Sequence, residues 1–124
     1  MSCSTSAASG ANLYVGVHGI KFGFTITDAS PGALPGTPLD VSIASGLTVT
    51  IRFQRPDTFT VDEAAVFSDF PGATGDGTDG RVMVLISDSD FFSQAGTWST
   101  QAIVTGTGVE YKSAINAFPV GRGL

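Results

Sequence analysis

The chain has 124 residues, 42% of them apolar and only 14% charged, which describes one domain of ordinary size with enough apolar content for a core. Six basic against 11 acidic residues give a net charge of −5, and a chain without a basic excess is a poor partner for nucleic acid. No apolar run approaches the ~18 residues of a membrane span, so no membrane partner is expected.

Residues 1–12 are rich in Ser, Ala and Gly, carry no Lys or Arg and contain no apolar stretch. They read as a flexible N-terminal arm that docks elsewhere, and not as a signal peptide. Their Cys3 is the only cysteine, which excludes a fold stapled by internal disulfides and suits synthesis in a reducing compartment. Residues 13–17 (LYVGV) read as a first short strand. Residues 21–28 alternate, with Phe22, Phe24 and Ile26 on one face. Residues 29–38 hold three prolines and two glycines, a turn-rich connection that no helix crosses.

Residues 47–54 carry the cleanest pattern. Leu47, Val49, Ile51 and Phe53 face one way and Thr48, Thr50, Arg52 and Gln54 the other, a strand with one wet face. Arg55-Pro56-Asp57 turns the chain, and residues 58–67 resume with Phe59 and Val61 in phase. A long Gly- and Asp-rich turn fills 69–80. Residues 81–87 (RVMVLIS) are apolar on both faces, as in a central or doubly covered strand. Ser87 to Asp90 are placed to cap one helical turn holding Phe91 and Phe92. Residues 96–105 form a strand with Trp98, Ala102 and Val104 on one side, Gly106-Thr107-Gly108 a hairpin turn, and 109–120 the last strand.

Seven strands with turn signals every 8–12 residues predict an all-β fold, an immunoglobulin-like antiparallel β-sandwich over residues 13–121, followed by a tail at 122–124. The predicted core holds Phe24, Ile26, Val49, Ile51, Phe53, Val84 and, as its large anchor, Trp98.

Several segments in order carry a family likeness: residues 22–28 (FGFTITD), 49–57 (VTIRFQRPD), 76–84 (DGTDGRVMV), 95–102 (AGTWSTQA) and 118–121 (FPVG). Together, from about Tyr14 to Val120, they resemble the immunoglobulin-like N-terminal domain of the baseplate upper protein of tailed bacteriophages. Members of that family continue into a long fibre-forming region, whereas this sequence ends at Leu124. The resemblance therefore implies a stand-alone virion module on tail, baseplate or capsid exterior. It would be made in the host cytoplasm, and its partners would be other virion structural proteins and further copies of itself.

The chemistry-bearing residues point away from catalysis. His18 is the only histidine and sits in a turn without a nucleophile motif. Asp76 and Asp79 lie too far short of the six or more oxygens that calcium takes, and Asp62-Glu63, Asp88 and Asp90 suit capping and solvation. No catalytic residue, metal or cofactor is expected. The candidate docking surface consists of Leu13, Tyr14, Phe91, Phe92 and Tyr111. The alternative function is a carbohydrate- or cell-surface-binding adhesin-like module, for which exposed Tyr14, Tyr111 and Phe92 are the hints.

Overall fold

The computed structural model describes residues 3–7, 13–28, 32, 34, 36–113 and 115–122. They form nine strands: β1 (Cys3–Ala7), β2 (Ile20–Asp28), β3 (Thr48–Gln54), β4 (Thr60–Ala64), β5 (Val66–Phe67), β6 (Arg81–Ile86), β7 (Gly96–Gly106), β8 (Val109–Lys112) and β9 (Asn116–Val120). One 3-10 turn (Ile43–Ser45) precedes β3. Two antiparallel sheets result. One has the order β1-β2-β6-β5; the other has the order β4-β3-β7, with β8 and β9 both pairing along β7. In immunoglobulin lettering these are A-B-E-D and C′-C-F-G, so the strand order is that of an immunoglobulin-like sandwich.

Period-two patterning decides which side chains meet between the sheets. Phe22, Phe24 and Ile26 of β2, Val49, Ile51 and Phe53 of β3, Val82, Val84 and Ile86 of β6, and Trp98, Ala102 and Val104 of β7 are all buried in one cluster. Every residue of the predicted core lies in it. Antibody domains place their core Trp on strand C; here Trp98 stands on strand F, where it pairs with Phe118 of β9, and Phe53 occupies strand C.

Several boundaries differ from expectation. Cys3–Ala7, expected within a flexible arm, is paired along β2 from Cys3–Asp28 to Ala7–Phe24. Over those residues the segment completes its own sheet and is not free to thread into a neighbour. Residues 1, 2 and 8–12 lie outside the described residues. The expected strand at 13–17 is reduced to a single parallel bridge of Tyr14 with Gly121, because Val17 N–H turns back to the Tyr14 carbonyl at 3.1 Å. Residues 58–67 split into β4 and β5: the chain leaves one sheet at Ala65, whose N–H still bonds Val49 O, and joins the other. The last strand splits into β8 and β9. Lys112 pairs with Ile103 and Asn116 with Thr100, so three residues oppose two and the register shifts by one. Buried Ser113 holds the shift, its Oγ accepting the Ala102 N–H at 2.9 Å.

Candidate docking surfaces

Of the predicted docking aromatics, Phe92 is core, Phe91 and Tyr111 are half-buried against it, and Tyr14 is exposed. At the end of the sandwich where β6 leads into β7, Asp88 Oδ1 accepts the Asp90 N–H (2.9 Å) and Asp88 O accepts the Phe91 N–H (3.1 Å). This is a turn stabilised by its own aspartate, and the expected helical turn does not form. It tips both phenyl rings inward. Phe92 is 0% exposed, edge-on to Trp98 at 5.1 Å. Phe91 is half-buried, stacked on Trp98 at 6.0 Å and edge-on to Phe53 at 5.0 Å. Leu13 is buried too. Leu13 and Phe92 are therefore corrected from docking residues to core residues. The reason is that two adjacent aromatics beside a buried Trp gain more from ring packing than from solvent.

Tyr14 remains exposed at 47%, while Tyr111 is half-buried against the core. Tyr14 bridges Gly121, the neighbour of the Val120 that pairs with Gly96; Tyr111 pairs with Val104. Eight residues of β7 separate the two levels, roughly 26 Å at ~3.3 Å per residue. Tyr14, Tyr111 and Phe92 do not share a surface, which removes the patch that the adhesin-like alternative relied on.

The exposed apolar residues lie elsewhere. On the outer face of the β1-β2-β6-β5 sheet, Met83 is half-buried and Leu85 is 53% exposed. Val66 of β5 lies directly opposite Met83 and is equally exposed. Phe70 lies over Gly23 on the same face, so close that a Cβ at Gly23 would meet its ring at 2.9 Å or less. Lys21, opposite Leu85 in register, closes the rim with a 2.8 Å ion pair to Asp69. The sequence signal was the doubly apolar run at 81–87: one face of it fills the core, and the other is covered only in part.

A second apolar region lies at the side of the sandwich where the chain crosses from β4 to β5. Val41, Ile43, Leu47, Val49, Ala65 and Phe67 line an open groove of ≈570 Å³. Ile43 on its rim is 86% exposed. At the far end of β4, Phe59 is 61% exposed, with the Arg55 guanidinium 5.0 Å from its ring centroid. The loop before it places Thr58 at φ 72°, a left-handed conformation uncommon for a β-branched residue. Asp57 fastens the loop, accepting Gln94 Nε2 at 2.8 Å and the Phe59 N–H at 3.0 Å. These two contacts hold its carboxyl below the usual range.

Asp69 pairs with Lys21, whereas the other two carboxylates of the 69–80 turn, Asp76 and Asp79, are engaged by the turn and the start of β6. Asp76 Oδ1 accepts Thr78 Oγ1 (2.6 Å), Thr78 N–H (3.0 Å) and Thr74 Oγ1 (2.8 Å). For Asp79, burial pushes the pKa up, but the N–H groups of Thr74 and Arg81 outweigh it and hold the carboxyl low. Among the described residues no three His, Cys, Asp or Glu side chains are grouped to hold a metal. His18 is exposed, with Nδ1 3.1 Å from Gly16 O.

The hydrogen bonds from Thr78 and Thr74 lower the Asp76 pKa from 3.8 to about 2. A pKa lower in the folded state means that the ionised carboxylate favours the folded turn. Its contribution is complete above pH 3.8 and is lost as the pH falls through about 2. An NMR titration of the Asp76 carboxyl carbon is expected to give a midpoint near 2. A midpoint at or above 3.8 would mean that the Thr78 bonds are absent in solution.

No protein-family model matches this chain, and no curated protein does either.

Proposed function

We propose that this protein is a non-enzymatic structural module of a tailed-bacteriophage virion, docking on tail, baseplate or capsid exterior through the outer face of its β1-β2-β6-β5 sheet. The family reading comes from the ordered segments between Tyr14 and Val120, and the immunoglobulin-like strand order is what that reading requires. The observation that carries the docking role is the patch of Val66, Met83, Leu85 and Phe70, with Leu85 and Val66 more than half exposed. Clustered apolar side chains rimmed by charges mark a protein contact more often than scattered ones do.

The test is occupancy of the particle. Virions purified from a producing host are expected to contain the chain at a fixed copy number by quantitative mass spectrometry. Leu85→Asp places a charge in the patch without touching the core, so its melting curve should match wild type while its occupancy falls. Absence of the wild-type chain from purified particles would refute the virion role. Unchanged occupancy of Leu85→Asp would refute this face as the contact.

A further inference from the structure

We propose that the chain forms a two-fold dimer in which the free edge of β4 pairs antiparallel with β4 of a second copy, and Phe59 of each copy seats in the groove of the other. The pairing does not depend on the virion role.

β4 is the outermost strand of its sheet, and among the described residues no strand pairs with its far side. Sheet edges that must stay alone are blunted by Pro, a bulge or charged side chains, Lys above all. β4 (TVDEA) has no Pro or Lys, and its register with β3 runs without a break from Gln54–Thr60 to Thr50–Ala64. Of its two acids, Asp62 is paired with Arg52 and Glu63 is half-buried opposite Ile51. The direction of its backbone groups follows from the bonds at its two ends. Arg55 N–H donates to Phe59 O at 2.8 Å, and Ala65 N–H to Val49 O at 3.0 Å. Residues 59, 61, 63 and 65 therefore turn their N–H and C=O groups toward β3, and Thr60, Asp62 and Ala64 turn theirs outward.

A two-fold axis needs a residue that pairs with its own copy. Centring it on Asp62 uses the whole strand: Thr60 pairs with the partner's Ala64, Asp62 with the partner's Asp62, and Ala64 with the partner's Thr60. Each pair exchanges both N–H···O bonds. In that register, and only one step beyond it, Phe59 stands opposite the partner's Ala65. This is a non-hydrogen-bonded pair, the kind in which side chains approach most closely. Ala65 lines the groove. The same symmetry that satisfies the edge thus delivers an exposed aromatic to an open apolar site of the other copy, twice. Stacking on Arg55 orders the Phe59 ring beforehand, which lowers what docking must fix.

The outer face is electrostatically matched. Asp62 is held by Arg52 Nε and Nη2 at 2.8 and 3.1 Å, so the row across the joint reads Arg52, Asp62, then the partner's Asp62 and Arg52, with no net charge. On this face the central carboxylates are the one like-charge pair, and each arrives already neutralised by its own arginine. On the inner face Glu63 stands opposite the partner's Val61, two residues out of step with the partner's Glu63.

Sedimentation equilibrium from micromolar to millimolar protein is expected to show a species of about 25 kDa, twice 12.7 kDa. Ala64→Pro removes an N–H that β3 does not use, at an edge position where Pro is tolerated. Phe59→Ser removes an exposed ring. Both should melt like the wild-type monomer and weaken the dimer about tenfold or more. Amide exchange gives a second readout, with Thr60, Asp62 and Ala64 gaining protection as concentration rises. A monomer at every concentration overturns the proposal, as does a dimer that Ala64→Pro leaves intact. A dimer weakened by Ala64→Pro but indifferent to Phe59→Ser overturns the seating of Phe59.

Discussion

Gly80→Ala is expected to destabilise the domain by about 2–5 kcal/mol, the sum of a left-handed backbone cost and a forced separation of packed groups. Gly80 sits at φ 74°. A Cβ there would run into the Ile26 carbonyl oxygen and come within 3.0 Å of Leu39 O. Both obstacles are backbone, so neither can rotate away. The same atoms bind the segment together: Ile26 N–H donates to Gly80 O at 2.7 Å and Leu39 N–H to Ile26 O at 3.0 Å. Moving Gly80 therefore disturbs β2 and the chain leading into the 3-10 turn at once. Gly75→Ala is the control, because Gly75 has φ 80° but nothing within 4 Å of its Cβ position. It should cost only the backbone share, about 1–2 kcal/mol. Urea unfolding measures both. Equal losses at the two positions would mean that the 69–80 turn does not approach Ile26 in solution.

The sandwich was legible where burial is one-sided. β3 alternates without an exception, and the burial of Val49, Ile51 and Phe53 follows directly. β1 was not legible, because a strand made of Ser, Thr, Ala and Cys has no apolar period; backbone pairing with β2 alone defines it. The division of 58–67 was hidden for another reason. Changing sheets at Ala65 alters which neighbour receives the N–H, not the residue types. The shift at Ser113 likewise rests on a side-chain-to-backbone bond, and a serine in a strand gives no sign of it.

Docking residues were harder to read than core residues. Because two adjacent rings cannot share one face of a strand, the Phe91-Phe92 segment reads either as one helical turn burying both rings or as a loop exposing one of them to dock. The structure buries Phe92 and half-buries Phe91 without a helix. A turn, unlike a strand, can present both to the core. Of the apolar side chains that reach solvent, Leu85 sits on a strand the sequence reads as apolar on both faces, whereas Phe59, read only as in phase with Val61, and Ile43 carried no sign of exposure. What the sequence could not supply was the pairing partner of each strand, and hence which apolar face was left over.

Trp98→Ala is expected to cost about 3–5 kcal/mol, the usual range for truncating a fully buried aromatic, against total stabilities of about 5–15 kcal/mol. Trp98 is 0% exposed, and its loss would leave Phe91 and Phe92 facing a cavity. The midpoint of thermal unfolding should fall by roughly 10–20 °C for a domain of this size. Trp98 also links the core to the loop that carries Phe59. Its Nε1–H donates to Gln94 O at 2.9 Å, Gln94 Nε2 donates to Asp57, and Asp57 accepts the Phe59 N–H. Trp98→Phe separates the two roles, keeping a ring against Phe91 while removing the donor to Gln94. It should lose less stability than Trp98→Ala yet speed amide exchange at Phe59. If Trp98→Ala melts with wild type, the indole does not fill the core. If Trp98→Phe leaves Phe59 exchange unchanged, the loop is held by Asp57 and Arg55 without help from the core.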